Sequence, residues 1–166
     1  VLIVFCSFVP FLEISAQEEI KVKPAFRSTA LPLPRYVSLK FDTVNMRSGP
    51  GDRYPIVWVY TLKGLPVEII LEFDHWRKIR APDGEEGWVH KSQLSGERTA
   101  ITKTLAPVSL YRSSTITSSK IALVSNDVIG DVEECYKSLC RINFGSHTGW
   151  IERKNIWGVY AHEIID

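Results

Sequence analysis

The sequence predicts an all-β chain of two tandem small barrels behind an N-terminal leader. Three observations carry this. From Tyr36 onward the chain runs in short segments rich in β-branched and aromatic residues. Gly, Pro, Asn, Asp and Ser punctuate them at turn spacing. The second half then repeats the plan of the first at an interval of about 63 residues, too long for a solenoid unit and right for a small domain.

Composition supports a globular reading. Of 166 residues, 45% are hydrophobic and 23% charged, which is not the balance of a disordered chain. Five Trp, six Tyr and seven Phe supply the large side chains that a short barrel core needs. Basic and acidic residues nearly cancel, 20 against 19. They also cancel locally, nine against nine over 36–100 and seven against seven over 101–166. No basic module exists by composition, so nucleic acid is not an expected partner.

Residues 1–16 read as an export signal. An apolar run from Val1 to Leu12 precedes Ile14-Ser15-Ala16 and then polar Gln17-Glu18-Glu19, which places cleavage after Ala16. The run lacks a basic start and contains Pro10, and it is short of the roughly 20 apolar residues of a membrane span. An uncleaved anchor is the alternative; after cleavage no membrane span is expected. Bulky Phe5 before Cys6 argues against lipidation. Residues 17–35 read as a linker with Pro24, Pro32 and Pro34, extended or polyproline-like at its end.

The first module is expected over 36–98. Its strands are YVSLKF, VNMR, IVWVYTL, PVEIILEF, WRKIRA and GWVHKSQL, many alternating between apolar and polar. Its turns are Ser48-Gly49-Pro50-Gly51, Lys63-Gly64-Leu65-Pro66 and Ala81-Pro82-Asp83-Gly84. Gly49 and Gly51 are expected to supply backbone angles other residues resist, with Pro50 stiffening the turn. The second module is expected over 101–160, with 161–166 as a tail. Leu65–Arg80 aligns with Val128–Asn143, Gly87-Trp88-Val89 with Gly149-Trp150-Ile151, and Val44–Arg47 with Val108–Tyr111. The joint, Gly96–Ala100, is short enough for the barrels to touch. Trp88 and Trp150 are expected to pack over the barrel rims, with ligand contact as the second reading.

Val44-Asn45-Met46-Arg47-Ser48-Gly49-Pro50-Gly51, followed by a Pro-Val strand, a Trp-Arg strand and a Gly-Trp-Val strand, resembles the bacterial SH3 (SH3b) domain family. With Leu-Pro-Arg-Tyr-Val-Ser-Leu before it and Trp-Gly-Val-Tyr near the end, the chain resembles the tandem SH3-like exported proteins of alphaproteobacteria. The second module departs from the signature, with Arg112-Ser113-Ser114-Thr115 in place of the Ser-Gly-Pro-Gly turn. The resemblance implies two SH3-like β-barrels after a signal segment and a Pro-containing linker. It also implies a periplasmic or secreted protein whose partner is peptidoglycan or an envelope protein.

Cys135 and Cys140 flank the hairpin where two strands of the second module meet. An even pair in an exported chain favours a disulfide, with a four-residue turn bringing the two into apposition. A metal site with His147 is the rival, lacking a fourth ligand and zinc-like spacing. No cofactor or metal is expected. No G-x-S-x-G, H-E-x-x-H or phosphate loop occurs, and the cysteines lie in a hairpin rather than at a helix N-terminus. The expectation is therefore binding without catalysis. Tyr54, Trp58 and Trp76 offer flat aromatic surface, and Arg47 and Arg53 flank the glycine turn where they could meet a carboxylate. A protein-interaction module without wall binding and a hydrolase accessory are the alternatives.

Overall fold

A computed structural model describes residues 29–166; the expected signal and most of the linker lie outside them. The described chain holds two seven-stranded antiparallel sheets and no α-helix. The first comprises β1 (Arg35–Leu39), β2 (Val44–Arg47), β3 (Ile56–Tyr60), β4 (Pro66–Phe73), β5 (Trp76–Arg80), β6 (Glu86–His90) and β7 (Leu94–Ser95). The second comprises β8 (Thr99–Thr102), β9 (Val108–Tyr111), β10 (Lys120–Val124), β11 (Ile129–Tyr136), β12 (Leu139–Asn143), β13 (Thr148–Glu152) and β14 (Ile156–Trp157). Spatial order is β3-β2-β6-β5-β4-β1-β7 in one and β10-β9-β13-β12-β11-β8-β14 in the other. Each strand takes the place of its counterpart seven positions on, so the sequence repeat is a structural repeat.

Alternation explains the cores. Val44 and Met46 point inward from β2, Val67 and Ile69 from β4, and Ile79 and Val89 from β5 and β6. Leu110, Cys135, Cys140, Ile142 and Ile151 fill the second core in the same way. The Gly-Trp pairs mark where β6 crosses β2 and β13 crosses β9. A Cβ on Gly87 would sit 2.9 Å from the Arg47 carbonyl oxygen, and one on Gly149 2.8 Å from that of Tyr111. Only glycine lets the strands approach this closely. Trp88 and Trp150 then pair opposite Arg47 and Tyr111.

Two-residue turns join β4 to β5 and β11 to β12, tighter than the four-residue turn expected from sequence. Tyr136 already pairs with Leu139, and Asp74 and Lys137 take positive φ at the turns. Cys135 and Cys140 stand one step further in, bonded to each other and fully buried. The Cys135 N–H and C=O both pair with Ile165 on the opposite side. Cys135 and Cys140 therefore form a non-hydrogen-bonded cross-strand pair, the register in which side chains come closest. The segment expected as a tail lies against the second sheet through this bridge.

The expected role of the Ser48–Gly51 turn needs correction. Neither Gly49 nor Gly51 takes a positive φ. Glycine is required at 49 for space: a Cβ there would lie 2.4 Å from the Tyr54 ring. The loop is built around that ring rather than around unusual backbone angles.

The two sheets are joined, not merely adjacent. Ile101 of β8 belongs to the first core, and Ile129 and Trp157 pack against it. Thr99 donates its hydroxyl to the Gly64 carbonyl at 2.7 Å. Tyr36 of β1 lies between Trp157 and Tyr160, with ring centroids 4.9 and 4.6 Å away. The Tyr160 hydroxyl donates to Glu68 at 2.9 Å, and Arg98 holds Glu163 through Nη1 and Nη2. Tyr36 of the first flanking motif and the Trp-Gly-Val-Tyr of the last thus meet across the joint.

Candidate functional site

The sequence placed five candidate contact residues in the first module, and the structure separates them. Trp76 is buried, only 9% exposed, with its ring edge-on to His90. Alternation on β5 puts it on the face opposite Ile79, where it packs beside its cross-strand partner His90, so its burial makes it a packing residue rather than an open contact surface. Arg47 also has partners within its own loop. Its Nη1 donates to the carbonyls of Asp52 and Tyr54 at 3.1 and 2.8 Å, and its Nη2 lies 3.7 Å from the Asp52 carboxylate. Its Nη1 closes the 48–55 loop, which makes Arg47 first a loop-holding residue.

Tyr54 is half-buried between the glycines and Arg53. The Arg53 guanidinium lies over its ring, 5.2 Å from the centroid. The ring anchors the loop, and Arg53 itself stays exposed above it. Trp58 is the aromatic that does present a face, 47% exposed on β3.

Around Trp58 the structure brings out a feature that alternation does not foretell. Ile56, Val57 and Val59 are exposed to nearly the same degree as Trp58, so only Tyr60 of the strand is buried. β3 is the terminal strand of its sheet, and the register with β2 slips between Met46 and Arg47. With no strand beyond it and a bulge within it, β3 stands off the core on both faces. The available signal in sequence was the lack of polar residues: Pro55 to Leu62 contains no charge. In the second module the equivalent β10 starts with Lys120 and half-buries Ile121 and Ala122, leaving Leu123 as its exposed large apolar residue.

A second cluster escaped the sequence reading. Glu72 on β4 is fully buried and pairs across the hairpin with Arg77 on β5. Its carboxylate accepts from Arg35 at 2.6 Å and from the Thr29 hydroxyl and N–H at 2.8 Å, with Arg77 Nε at 3.4 Å. Burial alone would raise its pKa; the hydrogen bonds from Arg35 and Thr29 outweigh burial and bring it to about 2. Glu72 and Arg77 occupy the positions of Cys135 and Cys140 in the repeat. One module ties this hairpin with ions, the other with a covalent bond. The repeat alignment contains that signal, since Glu and Arg stand where the cysteines do.

Among the described residues no group of three or more His, Cys, Asp or Glu side chains is gathered to hold a metal ion. None of the described helices is long and apolar enough to cross a membrane.

Two small antiparallel barrels with a loop-and-edge surface on the first define an SH3-like pair. The chain belongs to the family described as the bacterial SH3 domain, which matches residues 40–96 and again 106–158. Among solved structures it is similar to NlpC2 from Trichomonas vaginalis, at 16% identity and a TM-score of 0.36, covering 77% of this chain and 49% of that one. It is also similar to NlpC1 from Trichomonas vaginalis, at 14% identity and a TM-score of 0.35, covering 78% and 47%. The chain thus spans about half the length of these proteins. No curated protein matches the sequence.

Proposed function

We propose that this is an exported, non-catalytic binding protein of the cell envelope whose first module contacts peptidoglycan. The observation that carries the reading is the surface run from Arg53 to Val59, exposed at every residue but the half-buried Tyr54. It carries the exposed Arg53 guanidinium, which lies over the Tyr54 ring and donates to the Tyr54 hydroxyl at 3.4 Å, together with the half-exposed Trp58 indole and a strip of aliphatic side chains. A guanidinium matches a stem-peptide carboxylate, and an indole face matches a sugar or a peptide backbone. Family membership supports envelope binding, and the apolar leader and the Cys135–Cys140 bond support an oxidising compartment. The cysteines are consumed in that bond, which leaves no thiolate for a peptidase-type nucleophile among the described residues.

Retention on purified sacculi tests this. The protein is expected to be enriched over an unrelated small barrel. Trp58→Ala and Arg53→Ala are each expected to lower retention by about tenfold, the effect of roughly 1.4 kcal/mol. Trp58 is half-exposed and Arg53 lies on the surface, so both variants should remain folded, which circular dichroism checks. Retention no better than that of the unrelated barrel would contradict the reading.

A further inference from the structure

The two modules enclose a cleft that the wall-binding surface does not use, and we propose that it binds a small zwitterion, a free amino acid or dipeptide with an apolar side chain. The cleft holds about 370 Å³. Small-molecule sites run from roughly 300 to 1,000 Å³ and favour domain interfaces. Strand register builds its floor. Thr99, Asp131 and Asn143 stand in one row across β8, β11 and β12, so their side chains share a face of the second sheet. Alternation puts Ile101 and Ile129 on that same face, and both pack against the first core. The face is therefore the one turned toward the first module. The roof is the Lys63-Gly64 turn ahead of β4, tied down by the Thr99 hydroxyl on the Gly64 carbonyl. These contacts set the width of the cleft before a ligand arrives.

Charge selects the occupant. Lys63 lines the cleft from the first module, and Glu97 and Asp131 line it from the connector and from β11. Charges of both signs thus share one cleft, yet none of the three side chains forms an ion pair among the described residues. A ligand carrying both charges matches both walls: its ammonium meets Asp131 and Glu97, and its carboxylate meets Lys63. A simple cation or a simple anion would leave one wall unmatched. Asn143 adds a donor. Its Oδ1 accepts from the Gly145 N–H at 2.8 Å, which leaves its NH2 without a partner among the described residues. Half-buried Ile129 and Phe144 supply an apolar wall for the ligand's side chain. The grooves beside the C-terminal segment differ. There Arg153 spends its Nη donors on the carbonyls of Tyr160 and Glu163, and Lys154 pairs with Glu152. The cleft site uses neither Arg53 nor β3, so it stands whether or not the wall reading holds.

Titration of the isotopically labelled full chain with the dipeptide alanyl-leucine, followed by amide NMR shifts, tests this. Saturable shifts are expected at Gly64, Asp131 and Gly145, with a Kd on the order of 1 mM. N-acetylation and C-terminal amidation of the dipeptide each remove one charge, and each should weaken binding about tenfold. Lys63→Gln and Asp131→Asn should do the same. Both side chains are exposed, so the variants should stay folded, which circular dichroism checks. Arg53 and Ile56 to Val59 should not move, which separates this site from the wall-binding surface. No saturation by about 20 mM dipeptide overturns the proposal. So do blocked dipeptides that bind as well as the free one, variants that bind like wild type, or saturable shifts at Arg53 to Val59 with none at the cleft.

Discussion

Replacing Glu72 with alanine is expected to destabilise the first module by about 3–5 kcal/mol, the cost of removing one partner from a buried ion pair. The carboxylate is fully buried, and Arg35 and Arg77 converge on it with side chains only 16% and 7% exposed. Without it, two guanidinium groups remain in a site that excludes water. Arg77 keeps the carbonyls of Asp74 and Trp76 as acceptors. Arg35 keeps the Pro32 carbonyl at 3.3 Å. Neither contact neutralises charge. Chemical denaturation at pH 7 measures the loss. The same carboxyl gives the fold a pH dependence of known sign. Its folded pKa, about 2, lies below its ordinary value of 4.5, so the folded state binds the proton less readily than the unfolded one. Its contribution is complete above about pH 4.5 and is lost as the pH falls toward 2. Wild type should therefore lose more stability between pH 6 and pH 3 than Glu72→Gln does, and parallel losses would contradict the assignment.

Gly158→Ala is expected to cost about 3 kcal/mol, from backbone strain of roughly 1–2 and overpacking of roughly 1–3. Gly158 sits at φ 119°, a conformation that an L side chain rarely adopts. A Cβ there would lie 2.5 Å from the Thr99 carbonyl oxygen and 3.0 Å from Pro66 Cβ. These neighbours are backbone and ring, which cannot swing aside. The residue also sits between Trp157 and Tyr160, the two aromatics that grip Tyr36. The expected result is a lower melting temperature together with loosened contact between the modules. The Tyr160 hydroxyl titration reports the latter. Burial and the Glu68 carboxylate hold it well above the usual phenol range, and release from the joint should bring it down. An unchanged melting temperature in Gly158→Ala would contradict this account of the joint.

How far the sequence reached is best seen residue by residue. The strands, the repeat and the cysteine pair follow from local chemistry: alternation, turn residues, and a spacing that a hairpin closes. Trp76 and Trp58 look alike in sequence as aromatics on strands. What divides them is sheet position, since β5 lies inside the sheet and β3 at its edge. Arg47 reads as a free charge until the loop folds back to give it the carbonyls of Asp52 and Tyr54. Gly49 reads as a backbone requirement, whereas its neighbour through space, the Tyr54 ring, is what demands it. The contacts of Ile165 with Cys135, and of Tyr160 with Glu68, join positions 30 and 92 residues apart, beyond any local pattern.

The central claim is that the first module recognises and the second supports. Titration of the isotopically labelled full chain with soluble peptidoglycan fragments, followed by amide and indole NMR shifts, tests it most directly. The account predicts saturable shifts at Arg53, at Ile56 to Val59 and at the Trp58 indole N–H, with β10 and the Arg112–Thr115 turn unmoved. Shifts confined to the second module, or none at all at millimolar fragment, would contradict it.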